Sequence, residues 1–475
     1  MKKLNKLFKF LVCVLPLVLF FSYYPVISLG NNETMNFELS LPLIWLVVFD
    51  AVGLVMMVRK KVLLRGLKGK WAWLLFPVWV TLSVIWSLNV TRGVLTAGIL
   101  WLIYLAVYAM WSLRELFDAE FRRRFLKWLF GSTLVVCAWC VVQCVLDLVG
   151  VGREYSLMCA GCTYRMFGFP HPNGFAIEPQ FMGNLLLAPV LIAIYFAVRG
   201  GYNLRKPLEV LLPAAFTFTL FLTFSRGAIY AFAVGLVVMT VWMVVREKRG
   251  RKEVAKRAGW VWVTTVVAFL LALGAQGLMA ELSPTNDTFG TGVAKVVNHL
   301  SLGIIDMRGE EKETGDNSPS DVAVEKPVEN SEETREEEAV FDGYVVESTD
   351  TRVRLTGAAV TVWRQDFATA MFGVGLGGAG QALYNNGLSP APKEIVQNEY
   401  ASLLLETGIV GILLFILTVM LIVKAVIRCE NVVLLLALMV AYAVTLLFFS
   451  GLANALQIYL MLAVVYMVLR KKLVS

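Results

Sequence analysis

Long apolar runs, bounded by basic or glycine-rich stretches, fill the chain from residue 8 to residue 278 and again from 399 to 469. Twelve of them approach the roughly 17–25 residues a helix needs to cross the ~30 Å hydrocarbon layer of a bilayer. They are 8–28, 42–58, 71–87, 93–113, 128–150, 174–197, 208–224, 226–245, 259–278, 399–423, 431–450 and 453–469. Inside lipid the backbone has no water to bond, so continuous apolar runs of this length form helices, whereas barrel strands would alternate. The pattern predicts an all-α polytopic membrane protein with about twelve transmembrane helices. Helices one to nine occupy 1–278, a long polar loop occupies 279–398, and helices ten to twelve occupy 399–475. A composition 58% hydrophobic and only 16% charged excludes a soluble domain of this size.

Charge sets the expected orientation. Of 43 basic residues, 30 fall in the N-terminal tail, the loops 59–70, 114–127, 199–206, 246–257 and 424–428, and the C-terminal tail. With twelve spans all these segments share one side, so both termini are expected in the cytoplasm and the loop 279–398 outside. The net charge of +8 follows from this asymmetry and is no sign of nucleic-acid binding. The tail Met1-Lys2-Lys3-Leu4-Asn5-Lys6 could open a cleaved signal peptide. Phe20-Phe21-Ser22-Tyr23-Tyr24 is not a small-residue cleavage site, however, and an uncleaved signal anchor is expected.

The loop divides by composition. Residues 306–350 hold 16 acidic residues against four basic ones and read as a disordered, solvating insertion. Leu355, Ala358, Ala359, Val362 and Trp363 follow a helical spacing, so 352–372 is expected to carry a helix lying along the outer membrane surface. The glycine-rich stretch Gly373 to Gly380 could cradle phosphate, but it lacks a following lysine, and a flexible turn is the plainer reading. Cys137, Cys140 and Cys144, at i, i+3 and i+7, read as packing residues, as do Cys13 and Cys429. Cys159 and Cys162 could form a small-loop disulfide or stay as thiols. Zinc would need two further ligands, with only His171 nearby, and no metal is expected.

Charges at the ends of apolar spans are costly and point to function. Arg226, in Ser225-Arg226-Gly227, sits between two spans on the side that disfavours arginine. It could bind a lipid headgroup or a substrate phosphate. A second cluster, Arg165 to Pro179, leads into the sixth span and holds Asn173 and Glu178; the carboxylate could pair with an arginine or act as a base. A third, Gln397-Asn398-Glu399, opens the tenth span. With Arg352 and Arg354 these groups suit an anionic, phosphate-bearing lipid substrate. Neither internal repeats nor paired broken helices are visible, and Asp50 is the one acidic residue expected near a midplane, so a flippase or transporter is the alternative of another class.

The chain resembles the O-antigen ligase/polymerase family. The residues that carry the resemblance are Arg165-x-x-Gly168 with Pro172-Asn173 and Glu178-Pro179, then Ser225-Arg226-Gly227, then Arg354 ahead of Gly373-Val374-Gly375-Leu376-Gly377. Gln397-Asn398, nine residues and Gly408-x-x-Gly411 complete the order. Ligases carry a histidine where Gln397 stands. The resemblance implies a GT-C-like arrangement in the cytoplasmic membrane. It also implies metal-independent glycan transfer from an undecaprenyl-diphosphate-linked donor to a glycan, lipid or protein acceptor, with no cofactor. Arg226 and Arg354 would bind the diphosphate, with Arg352 in reserve and Arg165 and Asn173 nearby. Gln397 and Asn398 would orient the acceptor, and Glu399 or Glu178 would serve as base. A glutamine cannot take a proton at neutral pH, so polymerisation of repeat units is the preferred reading and ligation its alternative.

Overall fold

The computed structural model describes residues 1–22, 26–31, 36–63, 71–149, 170–176, 178–199, 206–247, 250–283, 288–302, 304–305, 307, 350–449 and 456–470. Arg165, Gly168, the Cys159–Cys162 pair and nearly all of the acidic stretch lie outside them.

Every expected span contains a helix. The helices of these runs are α1 (Lys2–Phe20), α2 (Leu41–Arg59), α3 (Ala72–Leu82), α4 (Val90–Ser112), α5 (Ala119–Leu148), α6 (Pro179–Arg199), α7 (Lys206–Leu222), α8 (Arg226–Arg246) and α9 (Arg251–Leu282). After the loop come α14 (Glu399–Ile427), α15 (Val432–Thr445) and α16 (Leu456–Leu469). Among the described residues seven helices are long and apolar enough to cross a membrane: α2, α4, α5, α6, α8, α9 and α14. The third, seventh, fifteenth and sixteenth are shorter apolar helices. The chain is a multi-pass membrane protein.

Two local features depart from the hydrophobic pattern. The first span does not run to residue 28: α1 ends at Phe20, and a hairpin follows, β1 (Val26–Asn31) antiparallel to β2 (Asn36–Ser40), with Val26 opposite Ser40. The all-helical expectation therefore has this one exception among the described residues. The sixth span starts at Pro179 rather than 174, after a turn in which Gly174 has φ +62°.

Short polar side chains set the helix starts, as hydrogen-bond acceptors for otherwise orphaned N–H groups. Asn89 caps α4, Asp118 caps α5 and Ser225 caps α8, the last through Ala228 N at 3.4 Å. The helix α6 is buried along most of its length and forms the centre of the bundle. Around it pack α7, α8, α9, α15 and α16; α1 joins α2 to α5. Cys137, Cys140 and Cys144 are buried in this core as free thiols, together with Cys13 and Cys429.

The loop packs in two parts: its first helix lies against α9, and its later helices share a small apolar core with the start of α14. It contains α10 (Phe289–Leu300), a helix over 350–363 (α11), α12 (Phe367–Phe372) and α13 (Ala379–Asn385). Leu355, Ala358, Ala359 and Val362 do share one helix face. That face packs on Ala382, Leu383, Val396 and the first turns of α14. The expected helix on the membrane surface is thus covered by protein, because α13 and α14 supply the apolar partners.

The glycine-rich stretch explains how this core is fastened. Gly408 (φ +65°) breaks α14, and the three carbonyls before the break take donors from elsewhere. Leu405 O accepts from Val374 N at 2.9 Å, Glu406 O from Gly375 N at 3.0 Å and Thr407 O from Trp79 Nε1 at 3.1 Å. The Glu406 carboxylate accepts from Ala379 N at 3.5 Å and from the Gly377 backbone. The N–H groups that might have cradled phosphate therefore hold this helix instead.

Candidate active site

The ends of α6, α8, α14 and α15 meet beneath the loop, and the candidate residues meet with them. Arg226 is the first residue of α8 and only 6% exposed. Ser225 fixes its backbone as the helix cap, and α6 passes close by: a side chain at Gly183 would lie 2.9 Å from Ser225 Cβ. On the other flank Gly227 abuts Phe448, where a side chain would sit 3.0 Å from Phe448 Cβ. Glycine at 183 and at 227 lets three chain segments close on one arginine.

Arg352 reaches the same place from α11. Its Nε donates to Gln397 Oε1 at 2.9 Å and its guanidinium to Gln180 Oε1 at 3.3 Å. Gln180 in turn donates to Phe448 O at 2.7 Å, which closes a chain of contacts from Arg352 back to Gly227 and Arg226. Arg352 also acts on Glu178, the residue before α6. Burial raises that carboxyl above the ordinary glutamate range, and the arginine's charge opposes the rise. Arg354, two residues further on, is exposed. The expected order of the two arginines is therefore reversed: Arg352 faces the other candidate residues, and Arg354 does not.

The remaining candidates are held by the scaffold. Asn398 caps α14, accepting from Tyr400 N and Ala401 N at 3.1 Å each. Glu399 accepts from Tyr459 Oη at 2.9 Å while its backbone N–H bonds Leu446 O, so it ties α14 to α15 and α16. Asn173 is buried in the turn before α6, accepting from Gln143 Nε2 at 2.6 Å and donating to Ala176 O at 2.9 Å. In this arrangement Asn398 and Asn173 shape the backbone around the site, while Gln397 meets the arginine directly.

The structure adds a residue that the sequence did not single out. The chain has two histidines, His171 and His299, and both are buried here. His299 comes from α10, and its imidazole bonds the backbone of Phe224, in the turn just before Arg226. Burial, then the charges of Arg226, His171 and Arg352, hold it well below the ordinary imidazole range, so it is neutral at pH 7. The charges of both arginines reach this one ring. The only hint in the sequence was the scarcity of histidine.

Residues 211–416 match the protein-family model described as O-antigen ligase. This match supports assignment of the chain to the O-antigen ligase/polymerase family. The matched region begins within α7 and ends within α14, so it contains Arg226, His299, Arg352 and Gln397. The match supports glycan transfer of the general kind that family performs, with a lipid-linked glycan donor and an acceptor. No curated protein matches the chain.

Chemically the pocket offers two guanidinium groups at the start of a helix, where backbone N–H groups also favour an anion. Arg352, held by Gln397 and Gln180, and Arg226 bring two fixed cations, an arrangement suited to phosphate oxygens.

Proposed function

We propose that the protein transfers a glycan from an undecaprenyl-diphosphate-linked donor to a sugar hydroxyl, as a polymerase of surface-polysaccharide repeat units. The observation that carries this reading is the chain of contacts that joins Arg352, through Gln180 and Phe448, to the Gly227 turn that begins with Arg226. In such a transfer the bond between the sugar C1 and the diphosphate oxygen breaks, with its electron pair going to the diphosphate. A bond from the acceptor oxygen to C1 forms, and the hydroxyl proton is lost. Diphosphate is already a good leaving group, so the protein's main task is to neutralise the charge that grows on it. Fixed donors in a water-poor pocket do this at little reorganisation cost. Glu178, its carboxyl raised by burial and close to Arg352, is the base best placed for the hydroxyl proton. No metal or cofactor is required for these steps.

The polymerase reading rests on Gln397, which stands where ligases carry histidine and accepts a hydrogen bond from Arg352. The spacing from Gln397-Asn398 to Gly408-x-x-Gly411 favours ligation to a lipid or protein acceptor as the second reading. We place the protein in the bacterial cytoplasmic membrane, with both termini in the cytoplasm and the loop outside.

Surface-glycan chain length in cells carrying Arg226→Ala or Arg352→Ala tests the proposal. Lost polymer with single repeat units retained means polymerase. Accumulation of long carrier-linked polymer means ligase. Unchanged glycan with impaired uptake of a solute would move the protein to the transporters.

A further inference from the structure

The turn that presents Arg226 is strained. Phe224, a buried non-glycine residue, sits at φ +46°, in the left-handed region. For an L-residue that conformation is unfavourable and persists only where the surroundings impose it. The turn's carbonyls show what imposes it. Leu222 O accepts from Gln276 Nε2 of α9 at 3.4 Å, and Phe224 O accepts from His299 of α10. One residue beyond His299, Leu300 O accepts from the Tyr230 hydroxyl, one turn into α8. Helix α10 is thus clipped to the start of α8 at two points, and Arg226 lies between them. Its charge acts on both His299 and Tyr230.

We propose that His299 is a positioning residue: by donating to the Phe224 carbonyl it holds the left-handed turn that aims Arg226 at the diphosphate. The proposal rests on the reading of Arg226 as a diphosphate ligand and extends it to the first helix of the loop. A ring held neutral suits the task, since an imidazolium beside Arg226, Arg352 and His171 would add a third cation to the pocket. The neutral ring keeps one N–H to donate and adds no charge.

The experiment uses the full chain in nanodiscs of phosphatidylethanolamine and phosphatidylglycerol, with undecaprenyl diphosphate as the probe. His299→Phe keeps a flat ring without a donor, and His299→Gln keeps an uncharged N–H. The loss of one neutral hydrogen bond is worth about a tenfold rise in Kd, so His299→Phe is expected to bind at least that much more weakly. His299→Gln should stay within about threefold of the unmodified protein, a fraction of that one bond. In a Phe224→Gly background, where the left-handed turn carries no side-chain strain, the effect of His299→Phe should shrink. Equal binding by both His299 variants, whether intact or lost, overturns the positioning role, as does an effect undiminished by Phe224→Gly. If His299→Phe yields no folded protein, Tyr230→Phe takes its place: it removes one hydroxyl from the second clip and should weaken binding in the same direction, and unchanged binding overturns the proposal. An Arg226→Ala arm separates the two claims. Retained binding there removes the diphosphate reading itself, whereas lost binding with His299→Phe intact removes only the role of His299.

Discussion

Arg352 and Arg354 stand two positions apart on one helix, so about 200° of rotation separates their side chains. One faces Gln397 and Gln180, and the other faces solvent. Arg352→Ala is therefore expected to lower transfer about 100-fold, the scale of losing one preorganised charge-stabilising donor, with Arg354→Ala the milder change. Initial rates with a lipid-linked donor would check this, and an Arg354→Ala defect equal to or larger than that of Arg352→Ala would contradict it. Glu178 makes a pH prediction. Its folded-state pKa is raised, so the folded protein holds a proton that the unfolded chain, near the usual ~4.3, has released. The stability this contributes is fully present below that unfolded value and is lost as pH rises through the raised folded value. Glu178→Gln removes the dependence, so its melting temperature should gain on the unmodified protein's as pH rises through that window; a constant gap would refute the assignment. At this scale the sequence identified the residue types but not their partners. Gln397 and Glu178 come together with Arg352, whereas Asn398 and Asn173 turn out to serve the backbone. His299 lay in an unremarkable stretch of α10, and its proximity to residue 226 depends on long-range packing that no local pattern records.

The helices themselves were legible because a bilayer demands long apolar runs, and each of the twelve runs contains a helix. The apolar face of α11 was legible too, as a periodicity; its covering partner was not, since spacing states that a face is apolar without saying what buries it. The short hairpin over Val26–Ser40 follows apolar residues that read as a continuation of α1. Glycine positions divide sharply by role. A side chain at Gly408 would lie 2.3 Å from Met371 O and at positive φ, and one at Gly373 would lie 2.4 Å from the backbone of Glu406. Gly408→Ala is expected to cost about 2 kcal/mol or more, through backbone strain combined with a clash that only backbone movement relieves. Gly98, exposed on α4 with nothing within 4 Å, gives the opposite sign: Gly98→Ala should be neutral or stabilising by about 0.5–1 kcal/mol. Thermal unfolding in detergent distinguishes the two, and similar shifts would mean that the break in α14 is not held by the loop.

In the whole molecule the loop is fastened at several separate places: the broken α14, the turn between α3 and α4, and the two clips of α10 on α8. Ser87 Oγ donates to Leu376 O at 2.7 Å and Leu376 N to Ser83 Oγ at 3.1 Å, which extends the attachment to helices far back in the chain. None of these attachments uses the acidic stretch, whose composition alone argues that it solvates rather than binds. Deleting 310–340 should therefore leave surface-glycan length unchanged, and shortened chains would show that those residues contribute to transfer. With Cys159 and Cys162 first replaced by serine, substituted cysteines at Ser301 and at Lys2, labelled from outside intact cells, would test the orientation: label is expected at Ser301 alone. One feature of the pocket makes this protein unusually easy to watch. Its two histidines are both buried there, so in a sample labelled with nitrogen-15 only in histidine every imidazole resonance arises from the site itself. Donor arrival, product departure and changes of tautomer could each be followed in a membrane protein of this size without a single background imidazole signal.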